Sequence, residues 1–318
     1  MKIAVIGAGG VGGYFGGRLA QAGADVTFIA RGEHLRAMRE RGLRVEAADG
    51  PFSIAPVRAT DDPATVGAVD LALLTVKTYA LSEALERMRP LVGPSTAVLT
   101  LQNGVEAPDL AAAAFGAERV LAGIAYCEVA IKAPGVIYQG TPLARIVFGE
   151  LDGSVTPRAQ AVADALTSAG IDTTLSTNVL GALWSKCCFI CAMSGVTTLT
   201  RQPLGPLLAD DESRELLRTV MSETHAVGLA KGVRFDADPV AGGLEMAARF
   251  PYGAKSSMLR DLERGGRLEV EALNGAVVRL GRRLGVPTPA NQAIYAALRF
   301  FQPAADQRPS TGAGAPPA

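Results

Sequence analysis

Short apolar runs separated by helical periods fill the first 175 residues, and helical periods alone fill the rest. Lys2–Ile6 is a β-branched run suited to a strand buried on both faces. It enters Gly7-Ala8-Gly9-Gly10-Val11-Gly12, then a helix over about Val11–Ala22 and a second strand, Asp25–Ala30. A helix over Glu33–Arg41 follows, and Leu43–Ala47 with Phe52–Val57 predicts a hairpin around Asp49-Gly50. Val69–Val76, Thr96–Leu101, Val120–Ala130, Val136–Tyr138, Arg145–Phe148 and Ile171–Leu175 read as further strands. Helices are expected at Ala80–Met88 and Pro157–Ala169. From Asn178 the alternation stops. Helical periods cover Leu180–Thr198, Glu212–Lys231 (after the capping acids Asp210 and Asp211), Pro239–Ala248, Ser257–Arg264, Arg267–Leu284 and Ala290–Phe301. The pattern predicts an α/β domain over 1–175, an all-α domain over 176–302 with a ligand cleft between them, and a disordered Pro-, Ala- and Gly-rich tail over 303–318.

The strand–turn–helix–strand at the start carries GxGxxG at its turn, which marks the α/β part as Rossmann-type and dinucleotide-binding. Gly7 permits the tight turn, Gly9 lets backbone N–H groups approach a pyrophosphate, and Gly12 lets the helix pack closely on the sheet. The helix N-terminus then faces the phosphates with its positive end. Dinucleotide sites that take NAD place an acid at the tip of the second strand for the ribose 2′-hydroxyl. Here the strand ends Phe28-Ile29-Ala30-Arg31, and a guanidinium suits a 2′-phosphate. Arg31 therefore points to NADPH. Glu33, the rival acid, lies past the tip. Lys77 and Asn103 each directly follow a strand, at the carboxyl edge where open α/β sheets hold their ligands.

Composition narrows the partners. The 318 residues suffice for two domains, and 31 basic residues balance 31 acidic ones, with few aromatics. Nothing there favours nucleic acid. No uninterrupted apolar run reaches the ~18 residues of a membrane span, so a cytoplasmic protein without a membrane partner is expected. Cys187, Cys188 and Cys191 cluster in one apolar segment, and Cys127 lies in a strand. Cys188-Phe189-Ile190-Cys191 spells CxxC, but there is no second CxxC and neither histidine is near in sequence. Core packing is the expected role, with no metal site.

Lys186 stands among apolar neighbours in Trp184-Ser185-Lys186-Cys187-Cys188. Its stem could snorkel to the surface, or its ammonium could face the cleft and donate to a carbonyl oxygen receiving hydride. Glu269 is a candidate partner. On a helix, Glu269 and Glu271 would lie on different sides, so one of them should face inward. Ser257 either caps its helix or binds a ligand.

These separated motifs resemble the ketopantoate reductases (2-dehydropantoate 2-reductases) over essentially 1–300. The resemblance rests on the GxGxxG, Phe-Ile-Ala-Arg31, Val-Lys77, Gln102-Asn103-Gly104, Trp-x-Lys186, Ser256-Ser257-Met258-Leu259-Arg260-Asp261, Glu269 and Asn274-Gly275. It implies NADPH at Gly7–Gly12 and Arg31, with Lys77 and Asn103 close to cofactor and substrate. It further implies Lys186 as proton donor, Ser257 on the substrate carboxylate, and Glu269 near the reacting hydroxyl and the cofactor. A small 2-oxo acid substrate and a place in pantothenate biosynthesis follow, and a homodimer is compatible with it. The chain departs from the family pattern where asparagines usually follow the lysine. Those positions read Ile190, Ser194 and, without gaps, Leu204. A site that hydrogen-bonds a substrate hydroxyl discriminates strongly, so the preferred 2-oxo acid is left open. Two other classes stay in view: an NADPH-binding regulator without turnover, and an imine-reducing dehydrogenase of the same architecture.

Overall fold

The computed structural model describes residues 1–301; the tail expected at 303–318 lies outside the described residues. By its internal contacts the chain forms two compact units. The first is Met1–Cys187 with Gly228–Asp238, and the second is Cys188–Val227 with the described residues from Pro239 onward.

The first unit is built on one ten-stranded sheet. It begins with β1 (Lys2–Ile6), α1 (Gly10–Gln21), β2 (Asp25–Ile29) and α2 (Gly32–Arg41). After these come the hairpin β3 (Leu43–Ala47) and β4 (Gly50–Ile54), then β5 (Arg58–Thr60), β6 (Leu71–Leu74) and α3 (Leu81–Arg87). Then follow β7 (Ala97–Thr100), α4 (Ala107–Phe115), β8 (Val120–Ala133), β9 (Val136–Glu150), α5 (Pro157–Ser168) and β10 (Asp172–Leu175). Strands β5-β2-β1-β6-β7-β8 run parallel in that order, so the order reverses on either side of β1. Ligands in open α/β sheets bind at such a switch point, at the carboxyl ends of the strands.

Both faces of these strands are covered, which is why their sequences are continuously apolar. Ile3, Val5, Phe28 and Leu73 join α1, α2 and α5 through Phe15, Met38 and Leu166. Ala4, Ile6, Ala72 and Leu74 point the other way, against Leu85 of α3 and Ala111 of α4.

Strand β9 corrects one expectation. Val136–Tyr138 and Arg145–Phe148 belong to a single strand, paired with β8 on both sides of residues 140–143. Between the two runs, where Gly140-Thr141-Pro142 lies, the register with β8 shifts. Cys127 faces Ala144 while Val129 faces Gln139, so the proline sits where no ladder hydrogen bond is asked of it.

The second unit is helical. The long helix α6 (Val179–Thr200) passes from the first unit into it, and α7 (Leu204–Ala209) and α8 (Asp211–Ala230) follow. Then come α9 (Pro239–Ala248), α10 (Ser257–Glu263), α11 (Asn274–Leu284) and α12 (Pro289–Leu298). By length and composition α6 could cross a membrane, but 72% of its apolar window is buried inside the protein. Asp210 is the acid that caps α8, its carboxylate accepting the Ser213 N–H at 2.8 Å.

Residues 267–273 correct a second expectation, since the helix predicted from Arg267 begins only at Asn274. Leu268 and Val270 are both fully buried, although two residues apart they would lie on opposite sides of a helix. Leaving the helix lets both pack. The segment is instead a turn in which the Glu269 carbonyl accepts the N–H groups of Ala272 and Leu273.

Candidate active site

The glycine turn sits at the switch point between β1 and β6. Gly7 has φ +99°, a left-handed conformation that strains any side chain, and a Cβ there would strike the Val76 backbone at 2.9 Å. A Cβ on Gly12 would overlap the Gly7 carbonyl and the Thr75 hydroxyl, so α1 can approach β1 only as glycine. Above Gly9 there is open space, with nothing within 4 Å of the Cβ position. Gly9 is also the N-cap of α1, without a side-chain cap, and the first turn of α1 holds no acid. Open space beside uncapped N–H groups, with no negative charge, is what a pyrophosphate requires. The residues present fit a dinucleotide.

Two further side chains, Thr75 and Gln102, brace this turn. The Thr75 hydroxyl donates to the carbonyls of Ile6 (3.0 Å) and Gly7 (2.8 Å), fastening the exit of β6 to the exit of β1. Gln102, nearly buried, donates from Nε2 to the Leu74 carbonyl (2.7 Å) and the Val76 carbonyl (3.3 Å). Together they fix the backbone that delivers Lys77, which is exposed one residue beyond Val76. A polar residue immediately after an apolar strand was the available signal for both.

Asn103, next to Gln102, meets the lysine. Lys186 Nζ donates to Asn103 Oδ1 at 3.0 Å and to the Ala125 carbonyl of β8 at 2.8 Å. It also stands 5.5 Å from the centre of the Tyr126 ring, within cation–π range. Lys186 therefore turns from α6 toward the sheet of the first unit rather than snorkelling, and two oriented acceptors hold its ammonium. The neighbouring Cys127 thiol is pushed up to about 11 by burial, against the opposing pull of Lys186. It stays a neutral thiol and supplies no counter-charge.

Arg31 follows β2 and is the N-cap residue of α2. Its Nη1 meets Glu83 Oε1 of α3 at 2.9 Å. Glu33, the rival acid, is turned to Arg36 within α2.

In the second unit Ser257 is not the cap of α10. Ser256 is: its Oγ accepts the Leu259 N–H at 3.0 Å and lies 2.8 Å from the Thr197 hydroxyl. Ser257 itself is exposed. Glu269 is only 5% exposed, whereas Glu271 faces out and pairs with Arg279. Of the positions that depart from the family asparagines, Ile190 is half-buried, Ser194 is buried, and Leu204 is completely buried. The structure thus brings Gly7–Gly12, Lys77, Asn103 and Lys186 together in the first unit, with Arg31 at the far end of the same strand edge.

The family model described as ketopantoate reductase PanE/ApbA matches residues 3–153. Its counterpart, ketopantoate reductase PanE/ApbA C terminal, matches residues 178–302. A 2-dehydropantoate 2-reductase of Mesorhizobium japonicum is 35% identical over 321 residues, covering 94% of this chain and 97% of that protein. The crystal structure of a PanE/ApbA family ketopantoate reductase from Ralstonia eutropha superposes with a TM-score of 0.87 at 35% identity, covering 95% and 98% of the two chains. A D-mandelate dehydrogenase solved with NADH and anilino(oxo)acetate shares the fold, with a TM-score of 0.86 at 24% identity over 95% of this chain and 98% of that one. From the glycine turn to the last helix, the chain belongs to the ketopantoate reductase family of oxidoreductases.

Proposed function

We propose that this protein is an NADPH-dependent reductase converting a 2-oxo acid to the 2-hydroxy acid. The observation that carries this reading is the Lys186 ammonium held by Asn103 and Ala125. Gly7–Gly12 would hold the pyrophosphate and Arg31 the 2′-phosphate. The reduced nicotinamide, when bound, supplies the hydride.

Lys186 supplies what the ketone oxygen needs as negative charge builds on it. A positioned ammonium stabilises that charge mainly in the transition state, and then gives the oxygen its proton from Nζ. Asn103 and the Ala125 carbonyl keep Nζ in one orientation, so little reorganisation is left for the moment of reaction. We assign Lys77 and Asn103 to the contact region of cofactor and substrate. Ser257 is assigned to the substrate carboxylate, which the capping of α10 by Ser256 supports, since it leaves the Ser257 hydroxyl out of the cap. Glu269, a nearly buried carboxylate, is assigned to the reacting hydroxyl.

On substrate, Ile190 favours a 2-oxo acid without a hydroxyl at its far end, because an isoleucine can neither donate nor accept. NADPH oxidation with ketopantoate and with its analogue lacking the 4-hydroxyl tests both parts. Turnover is expected with both, the analogue preferred, and Ile190→Asn should shift the kcat/KM ratio toward ketopantoate. No oxidation with either, nor with a broader set of 2-oxo acids, would refute the reductase. An unchanged ratio in Ile190→Asn would make that position packing only.

A further inference from the structure

We propose that Glu83 is a specificity-determining residue of the cofactor site, a built-in counter-ion that moderates the hold of Arg31 on a 2′-phosphate. This rests on the assignment of Arg31 to that phosphate. Arg31 and Glu83 come from different parts of the chain, one following β2 and the other in the first turn of α3, yet Nη1 and Oε1 meet at 2.9 Å. A carboxylate and a phosphate both seek the same donor edges of a guanidinium. An arriving 2′-phosphate must therefore displace Glu83 or accept its negative charge close by.

The same Oε1 also has an alternative partner. Arg87, one turn further along α3, stands 3.6 Å from it. Glu83 can thus release Arg31 and remain paired. The three side chains together carry one net positive charge, and without Glu83 they would carry two. Arg31 and Glu83 are each about half exposed, at 53% and 54%. At that exposure the pair adds little to folding, and its effect falls on a charged ligand. An acid at the strand tip selects NAD by position; an acid one helix away, clamped to the arginine, instead narrows the margin between the two cofactors.

The test needs no turnover. Binding of adenosine 2′,5′-bisphosphate and of 5′-AMP, which differ only in the 2′-phosphate, is measured by calorimetry on wild type, Glu83→Gln and Arg31→Ala. Glu83→Gln should tighten the bisphosphate about three- to tenfold, leave 5′-AMP unchanged, and lose the gain at high salt. If both ligands tighten alike, the effect is general charge and the inference fails. If neither moves while Arg31→Ala weakens the bisphosphate, Glu83 has no role although Arg31 does. If Arg31→Ala leaves the bisphosphate unmoved, the NADPH assignment fails, and the role of Glu83 with it.

Discussion

Two adjacent serines show how much a single residue's role depends on backbone geometry. An N-cap needs extended dihedrals and a side chain turned onto the first helical turn. Ser256 has φ −64° and ψ 159°, and its hydroxyl accepts the Leu259 N–H. Ser257 is the first residue inside α10. Nothing in Ser-Ser distinguishes the two, so the sequence left cap and ligand roles open for Ser257. Ser256→Ala should cost about 0.5–2 kcal/mol of stability, read as a lower Tm. Ser257→Ala should leave Tm where it is and raise KM for the 2-oxo acid. A fall in Tm for Ser257→Ala with KM unmoved would exchange the two assignments. Lys186 was legible as an anomaly, a cation in an apolar helix; its acceptors, 83 and 61 residues away in sequence, were not.

At the scale of elements, β1, α1 and β2 were legible because every cue is local: β-branched strands, a glycine turn and an N-terminus without acids. Residues 267–273 were not, since the burial of both Leu268 and Val270 overrides a good helical pattern. Helix α2 adds a tie that no motif announces. His34 Nδ1 accepts the N–H of Gly135, in the turn between β8 and β9, at 3.0 Å. That bond fixes the neutral tautomer with its proton on Nε2. Burial lowers the imidazole pKa, with a partly offsetting contact to the Ala8 backbone of the glycine turn. The unfolded chain therefore takes up this proton before the folded one does. Its contribution to stability is complete above the ordinary value of 6.5 and is lost as pH falls below it. Thermal unfolding followed from neutral to mildly acidic pH should show that decline, and His34→Asn, which keeps an acceptor, should flatten it. An identical slope in the variant would place the acid sensitivity elsewhere.

At the scale of the whole molecule, the change from alternating strands and helices to helices alone announced the architecture. The sheet order could not be read so directly, because the β3–β4 hairpin joins the sheet through β3, which pairs with β9 some ninety residues further along the chain. Helix α6 begins among the contacts of the first unit and ends among those of the second, and Lys186 is two residues before that division. The cofactor turn, Asn103 and the lysine are thus carried by one unit, which is where hydride transfer to a ketone would need them. The proposed reductase reaction rests on Lys186 as its proton donor. The most direct measurement is kcat for NADPH oxidation by Lys186→Ala at saturating 2-oxo acid, with NADPH affinity measured on the same protein. A loss of about 10²-fold or more in kcat, with NADPH binding unchanged, is the predicted result. Turnover close to that of the wild type would contradict it.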